Sequence, residues 1–81
     1  MAKVKYGERG YIDFSGLWSV MEKKKVNKQW LKDNGVHSNT VAKLMKNENV
    51  SCEVIAHVCA LLKCQPGQIM RYVPNNKEID G

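Results

Sequence analysis

Apolar residues recur at steps of three and four in several separate stretches of the chain, each bounded by residues that start or stop helices. Phe14, Leu17, Trp18 and Met21 form the first stripe, the spacing of an amphipathic helix. Asp13 precedes it as a candidate N-cap, and the run Lys23 to Lys25 follows it with cations suited to the negative end of the helix dipole. Asn27 can cap a second, short helix over "KQWLKDN", which turns Trp30 and Leu31 inward and leaves Lys28 and Lys32 on one outer face. Gly35 stops it. Ser38 is a suitable cap for a third helix over about 39 to 47. Val41, Leu44 and Met45 make its inner stripe, and Asn39, Ala42, Lys43 and Lys46 its outer one.

"NENV" is a polar link, after which Ser51 can cap a fourth helix reaching about Leu62, with Glu53 in the first turn and Val50 placed to staple onto Ile55. Val54, Ile55, Val58, Cys59, Leu61 and Leu62 give this helix the widest apolar face, which marks it as the core helix. Pro66 suits a first helical position and predicts a short fifth helix around 66 to 70. "RYVPNN" then reads as an extended end, stopped by Pro74. At the other end, residues 1–13 alternate around Val4, Tyr6 and Ile12 with Gly7 and Gly10 between, which fits either a short strand or hairpin or a loose arm. The expected class is all-α, with five helices over 14–73, an arm or short strand before them and a tail over 74–81.

The 81 residues fit one domain, and a chain of this size buries only about 60% of its unfolded surface. No apolar run approaches the roughly 18 residues of a membrane span, and the N-terminus lacks the basic-then-apolar order of a signal peptide. A cytoplasmic, membrane-free protein is therefore expected. The net charge of +5 is unevenly distributed. Residues 23 to 46 hold seven lysines against the single Asp33, a net +6, while six bases and seven acids elsewhere leave −1. Such a concentrated positive segment suits a polyanion, although a solvated lysine face would look the same by charge alone. Cys52, Cys59 and Cys64 sit among apolar neighbours and read as reduced, buried packing residues rather than a disulfide framework. A zinc site that also used His57 is the sharper alternative. Against it, Cys52 and Cys59 share a helix face from which His57 points away, and no Cys-x-x-Cys pair exists.

Helices two and three, joined by a tight turn at Gly35, have the form of a helix-turn-helix. In such a pair the second helix needs an apolar face to lock it down and small polar or basic residues to reach base edges. The stretch "GVHSNTVAKLMKNENV" supplies both, with no acid on its outer helical face. The longer run "VNKQWLKDNGVHSNTVAKLMKNENVSCEVIAHVCALLKCQPGQIM" resembles the Cro/C1-type helix-turn-helix of small bacterial and phage regulators, a similarity covering about residues 14 to 73. It rests on the glycine turn, the Ser-Asn-Thr-Val start of the third helix, the "NENVSCEVI" link and the "LLKCQPGQIM" close.

The resemblance implies a five-helix domain that binds double-stranded DNA and regulates transcription, as a repressor acting at a promoter. It places base contacts on His37, Ser38, Asn39 and Lys43, and phosphate contacts on Lys28, Lys46, Asn47 and Asn49. The chemistry agrees independently. Asn39 can bond adenine through both amide groups, Lys43 can donate to guanine O6 and N7, and Ser38 can serve base or phosphate. Ser38 is also explicable as a cap alone, and His37 as a turn residue. One departure stands out: three residues separate Leu31 from Gly35 where the family usually has four. Either helix two is one residue shorter, or Trp30 takes an apolar slot normally held by leucine.

A single helix-turn-helix contacts few base pairs, so a homodimer is expected, at least on DNA, with Tyr11, Ile12, Tyr72 and Val73 able to support the contact if the ends pair as strands. The competing class is a protein-interaction module, such as an antitoxin or anti-repressor, using helix three on a protein. Its lysine-rich, acid-free surface argues against that. Enzyme chemistry has no footing in the sequence, which holds no paired carboxylates, no phosphate-cradling glycine loop, and no nucleophile beside His37 or His57. Trp18, Trp30, Tyr72, Met21, Met45 and Met70 read as core rather than as a pocket, so no cofactor, metal or small-molecule ligand is expected.

Overall fold

Two short strands clasp a series of five helices. The computed structural model describes residues 9–74, in the order β1 (Tyr11–Asp13), α1 (Ser15–Lys23), α2 (Lys28–Asp33), α3 (Ser38–Met45), α4 (Cys52–Leu62), α5 (Pro66–Ile69) and β2 (Arg71–Val73). The alternation around Val4 and Tyr6 and the tail over 75–81 lie outside the described residues. The strand expected near Ile12 is present, and among the described residues its partner is the chain's other end. β1 pairs antiparallel with β2, Tyr11 opposite Val73 and Ile12 opposite Tyr72. Arg71 Nε lies 3.5 Å from Asp13 Oδ2, and the Tyr72 hydroxyl donates to the Arg9 carbonyl.

Ten apolar side chains form one core: Phe14, Leu17, Met21, Leu31, Val36, Val41, Leu44, Val58, Leu62 and Ile69. Every helix contributes to it, so each is held by packing more than by its own short ladder. Leu31 is fully buried while Trp30 is only half-buried. The leucine thus fills the inward slot of α2, a helix of only six residues. α1 and α5 meet closely at Gly16, where an added Cβ would stand 2.5 Å from the Gln68 carbonyl oxygen.

The caps explain most element boundaries. Asn27 Oδ1 accepts from Trp30 N at 2.9 Å and Ser51 Oγ from Val54 N at 3.2 Å, as the sequence predicts. In α5, Gln68 Oε1 takes the Gln65 N–H at 2.8 Å. Two expected caps are corrected. Asp13 ends β1 and accepts from the Ser15 hydroxyl instead of capping α1, which begins after Phe14 with no side-chain cap. Ser38 is the first residue of α3, and its neighbour His37 is the cap, with Nδ1 accepting from Asn39 N at 3.1 Å.

Helices α1 to α4 each stop at a left-handed residue, whose own amide bonds back three residues in α1 to α3 and four, to Cys59 O, in α4. The left-handed residues are Lys25, Gly35, Asn47 and Lys63. Beyond each of the first three, and beyond Lys63, the next amide reaches back five residues: Val26 N to Met21 O, Val36 N to Leu31 O, Glu48 N to Lys43 O, and Cys64 N to Cys59 O, at 2.8 to 3.1 Å. In α1 to α3 the two bonds together are the Schellman closure, of which α4 has the longer one. It brings apolar side chains together across three of the four stops: Met21 with Val26, Leu31 with Val36, Cys59 with Cys64.

Stopping at Lys46 and Asn47 shortens α3 to eight residues and leaves Met45 51% exposed, a rim residue rather than the third member of an inner stripe. The thiols also differ from the expectation. Cys59 and Cys64 are half-buried, but Cys52, the first residue of α4, is exposed. Burial, reinforced by Cys64 beside it, raises the Cys59 pKa. With limiting iodoacetamide at neutral pH we expect Cys52 to be labelled first and Cys59 last, read by peptide mass spectrometry. Preferential labelling of Cys59 would contradict this packing. No group of three or more His, Cys, Asp or Glu suited to a metal ion occurs among the described residues.

Asp13 is held below the usual carboxylate range, first by the Ser15 hydroxyl and further by its backbone amide and Arg71, against a smaller opposing effect of desolvation. A lowered pKa stabilises the fold at pH values above the unfolded carboxylate's, and that contribution is lost as pH falls through the folded value. The strand clasp therefore keeps its ion pair at neutral and mildly acid pH.

Candidate nucleic-acid interface

The turn Asn34-Gly35-Val36-His37 sets α3 against α2. Gly35 adopts φ +98°, and Val36 turns back into the core at 4% exposure. Buried Val41 and Leu44 then fix one side of α3, so the opposite side faces outward by helical geometry. His37, Ser38, Asn39, Ala42, Lys43 and Lys46 are all exposed. Four of the five polar residues among them stand in or directly before the first two turns of α3, and the helix contains no acid.

The His37 cap changes what this end can do. Its Nδ1 is committed to the Asn39 amide, which leaves Nε2 as the ring's outward polar atom. Ser38, freed from capping, keeps its hydroxyl available. Asn39 has its amide N–H satisfied by His37 and its exposed side chain uncommitted to that cap. Lys43 lies one turn further along the same side. Thr40, Lys43, Asn49, Ser51 and Cys52 line a shallow groove between α3 and the start of α4, so Lys43 and Asn49 are brought together. Thr40 and Ser51 were not candidates from sequence. The signal available was spacing, since Thr40 stands three residues before Lys43.

Two other candidates carry structural duties. Asn47 is half-buried in the left-handed region at φ 57°, and its Oδ1 accepts from Phe14 N at 2.9 Å. This bond ties the exit of α3 to the entry of α1 and leaves only the amide NH2 of Asn47 for a ligand. Lys28, at the start of α2, sits with Nζ 5.4 Å from the centre of the Trp18 ring, a cation–π contact that positions its charge. All seven lysines between 23 and 46 are exposed, while Asp33, the lone acid there, accepts from Gln29 Nε2 at 3.0 Å. The positive field is therefore displayed at the surface of α2, α3 and the end of α1.

A buried core shared by all five helices, a tight turn and an exposed, acid-free second helix after it define a helix-turn-helix unit. The chain belongs to the Cro/C1-type helix-turn-helix DNA-binding domain family, whose model matches residues 16–75. Among solved structures it is similar to the crystal structure of the transcriptional regulator VanUg. The two share 32% identity and a TM-score of 0.78 over 90% of this chain and 99% of that one. None of the curated proteins compared matches this chain. No helix among the described residues is long and apolar enough to cross a membrane.

Proposed function

We propose that the protein is a sequence-specific transcriptional repressor that occupies a promoter with α3 in the major groove of double-stranded DNA. The observation that carries this reading is the outward face of α3, where exposed Asn39 and Lys43 stand beside exposed His37 and Ser38 with no acid in the helix. Asn39 and Lys43 read base edges, and His37 and Ser38 contact bases at the helix start. Lys28, Lys46, Asn49 and the NH2 of Asn47 hold phosphates and fix the register. The similarity to VanUg supports a place among the small regulators of VanG-type vancomycin-resistance clusters. The site of action is the cytoplasm, where the thiols stay reduced.

Useful affinity needs two copies on half-sites about 34 Å apart. The strand clasp supplies a surface for this, since Tyr11, Ile12 and Tyr72 are all exposed with Val73 beside them. The protein is then a homodimer on its operator.

The deciding experiment is binding to a duplex carrying the gene's own upstream region against a scrambled duplex, by fluorescence anisotropy over a range of salt. The expected result is much tighter binding to the first, with log affinity falling linearly with log salt. Equal affinity for both at physiological salt would sink sequence-specific recognition. Lys28→Ala should weaken binding to every duplex alike and lower the salt slope by about one. A change in base preference in this variant would instead place Lys28 at a base edge.

A further inference from the structure

His57 contacts the helix-turn-helix from outside it. It stands in the middle of α4, 23 positions beyond the turn, with Nε2 2.8 Å from the Asn34 carbonyl oxygen. Asn34 is the C-cap of α2, so its carbonyl lies where the helix's own ladder has run out of donors. The ring also lies over the space beside the next residue. A Cβ added at Gly35 would stand 3.2 Å from His57 Nε2 and 3.6 Å from Cε1. Thus one imidazole bonds to Asn34 and fills the space a side chain at Gly35 would need, at the two residues that join α2 to α3.

α3 is held at three places. Val41 and Leu44 anchor its middle in the core, Asn47 ties its exit to Phe14 N, and the turn before it is tethered to α4 through His57. The buried pair acts as a pivot, and the other two contacts fix the direction in which the helix points. The end governed by His57 is the one carrying His37, Ser38 and Asn39. We infer that His57 is a positioning residue for DNA recognition, which sets the aim of α3 from α4 by holding the Asn34–Gly35 turn. This rests on α3 being the recognition helix. It also gives the short spacing before Gly35 a physical counterpart: a turn with fewer residues is steadied by a side chain from another helix.

A carbonyl oxygen can only accept, so Nε2 carries a proton in this contact. Both the neutral Nε2–H ring and the imidazolium donate through that atom.

The test compares His57→Phe, which keeps a flat ring and loses the donor, with His57→Gln, which keeps an N–H of similar reach. Binding to the upstream-region and scrambled duplexes is measured with each folded variant, below its melting temperature. For His57→Phe we expect affinity for the upstream duplex to fall about five- to tenfold. Binding to scrambled duplex and the salt slope should stay unchanged, because the phosphate contacts lie elsewhere. His57→Gln should recover most of the loss. Equal losses on both duplexes, or no loss on either, overturn the inference, as does failure of Gln to recover more than Phe.

Hydrogen exchange in the free protein provides a readout independent of DNA. The amides of Gly35 and Val36, which donate to Lys32 O and Leu31 O, should exchange faster in His57→Phe and near the native rate in His57→Gln. Unchanged exchange in His57→Phe shows that the tether itself is wrong. If the native protein fails to discriminate between duplexes, the recognition role falls together with the proposed function, and the exchange result separates that failure from failure of the tether.

Discussion

Gly16→Val should lower the stability of the domain by about 3 kcal/mol or more, and Tm by more than about 12 °C. Gly16 lies in the first turn of α1 where α5 crosses it. The nearest atoms to an added Cβ are backbone: Gln68 O at 2.5 Å, Gln68 C at 3.3 Å and Ile69 Cα at 3.4 Å. No rotamer change relieves such a contact, so α5 must move away. That movement draws Ile69, fully buried in the native fold, off the core. A chain of this size has only about 4–12 kcal/mol of stability to lose. Gly16→Ala is expected to fall between, since the better helix propensity of alanine offsets about 1 kcal/mol. Gly67 is the internal control. It lies in α5 with nothing within 4 Å of an added Cβ, and Gly67→Ala should be neutral or slightly stabilising. Thermal melts of the three variants by circular dichroism decide the matter. A Gly16→Val protein melting with the native one would show that α1 and α5 do not approach as described.

Asn39→Ala and Lys43→Ala should each cost about 1–3 kcal/mol of affinity for the operator and relax discrimination at separate base pairs. Both side chains are exposed, so Tm should change little, which separates loss of recognition from loss of fold. The loss is expected to be selective. Asn39 offers a donor and an acceptor matched to one base edge, whereas Lys43 also brings charge, so its removal should reduce affinity for scrambled duplex as well. Duplexes carrying single base-pair changes, titrated with each variant, provide the measurement. An unaltered base preference in Lys43→Ala would remove α3 from the role of reading helix.

Much of this architecture is visible in the sequence because its signals are local. Asn27, Ser51 and Pro66 start helices for reasons contained within a single turn, and the buried positions of α1 and α4 follow from spacing. The misplaced features have non-local or unusual causes. Histidine is an uncommon N-cap, so Ser38 looked the better choice beside His37. Lys25 and Lys63 end helices in a left-handed conformation that sequence reading associates with glycine or asparagine. Met45 fits an inner stripe by periodicity, yet Val41 and Leu44 centre the buried side so that Met45 falls at its rim. The residues of the proposed interface were legible as an exposed polar face. The bond between Asn47 and Phe14, 33 positions apart, and that between His57 and Asn34 were not. Tertiary pairs of this kind leave no periodic trace.

The strand clasp also has a consequence for how the chain folds. Its two strands join positions 11 and 73, which lie 73 − 11 = 62 apart, and closing a loop of that length costs on the order of 4 kcal/mol. Three-residue strands return little against that cost until the helices have already brought their ends together. Assembly therefore proceeds from the helices outward, with the ribbon zipping last. In the finished molecule the same ribbon should be the first part to come undone, so fraying is expected to begin at the two strands and to spare the helices of the proposed DNA interface.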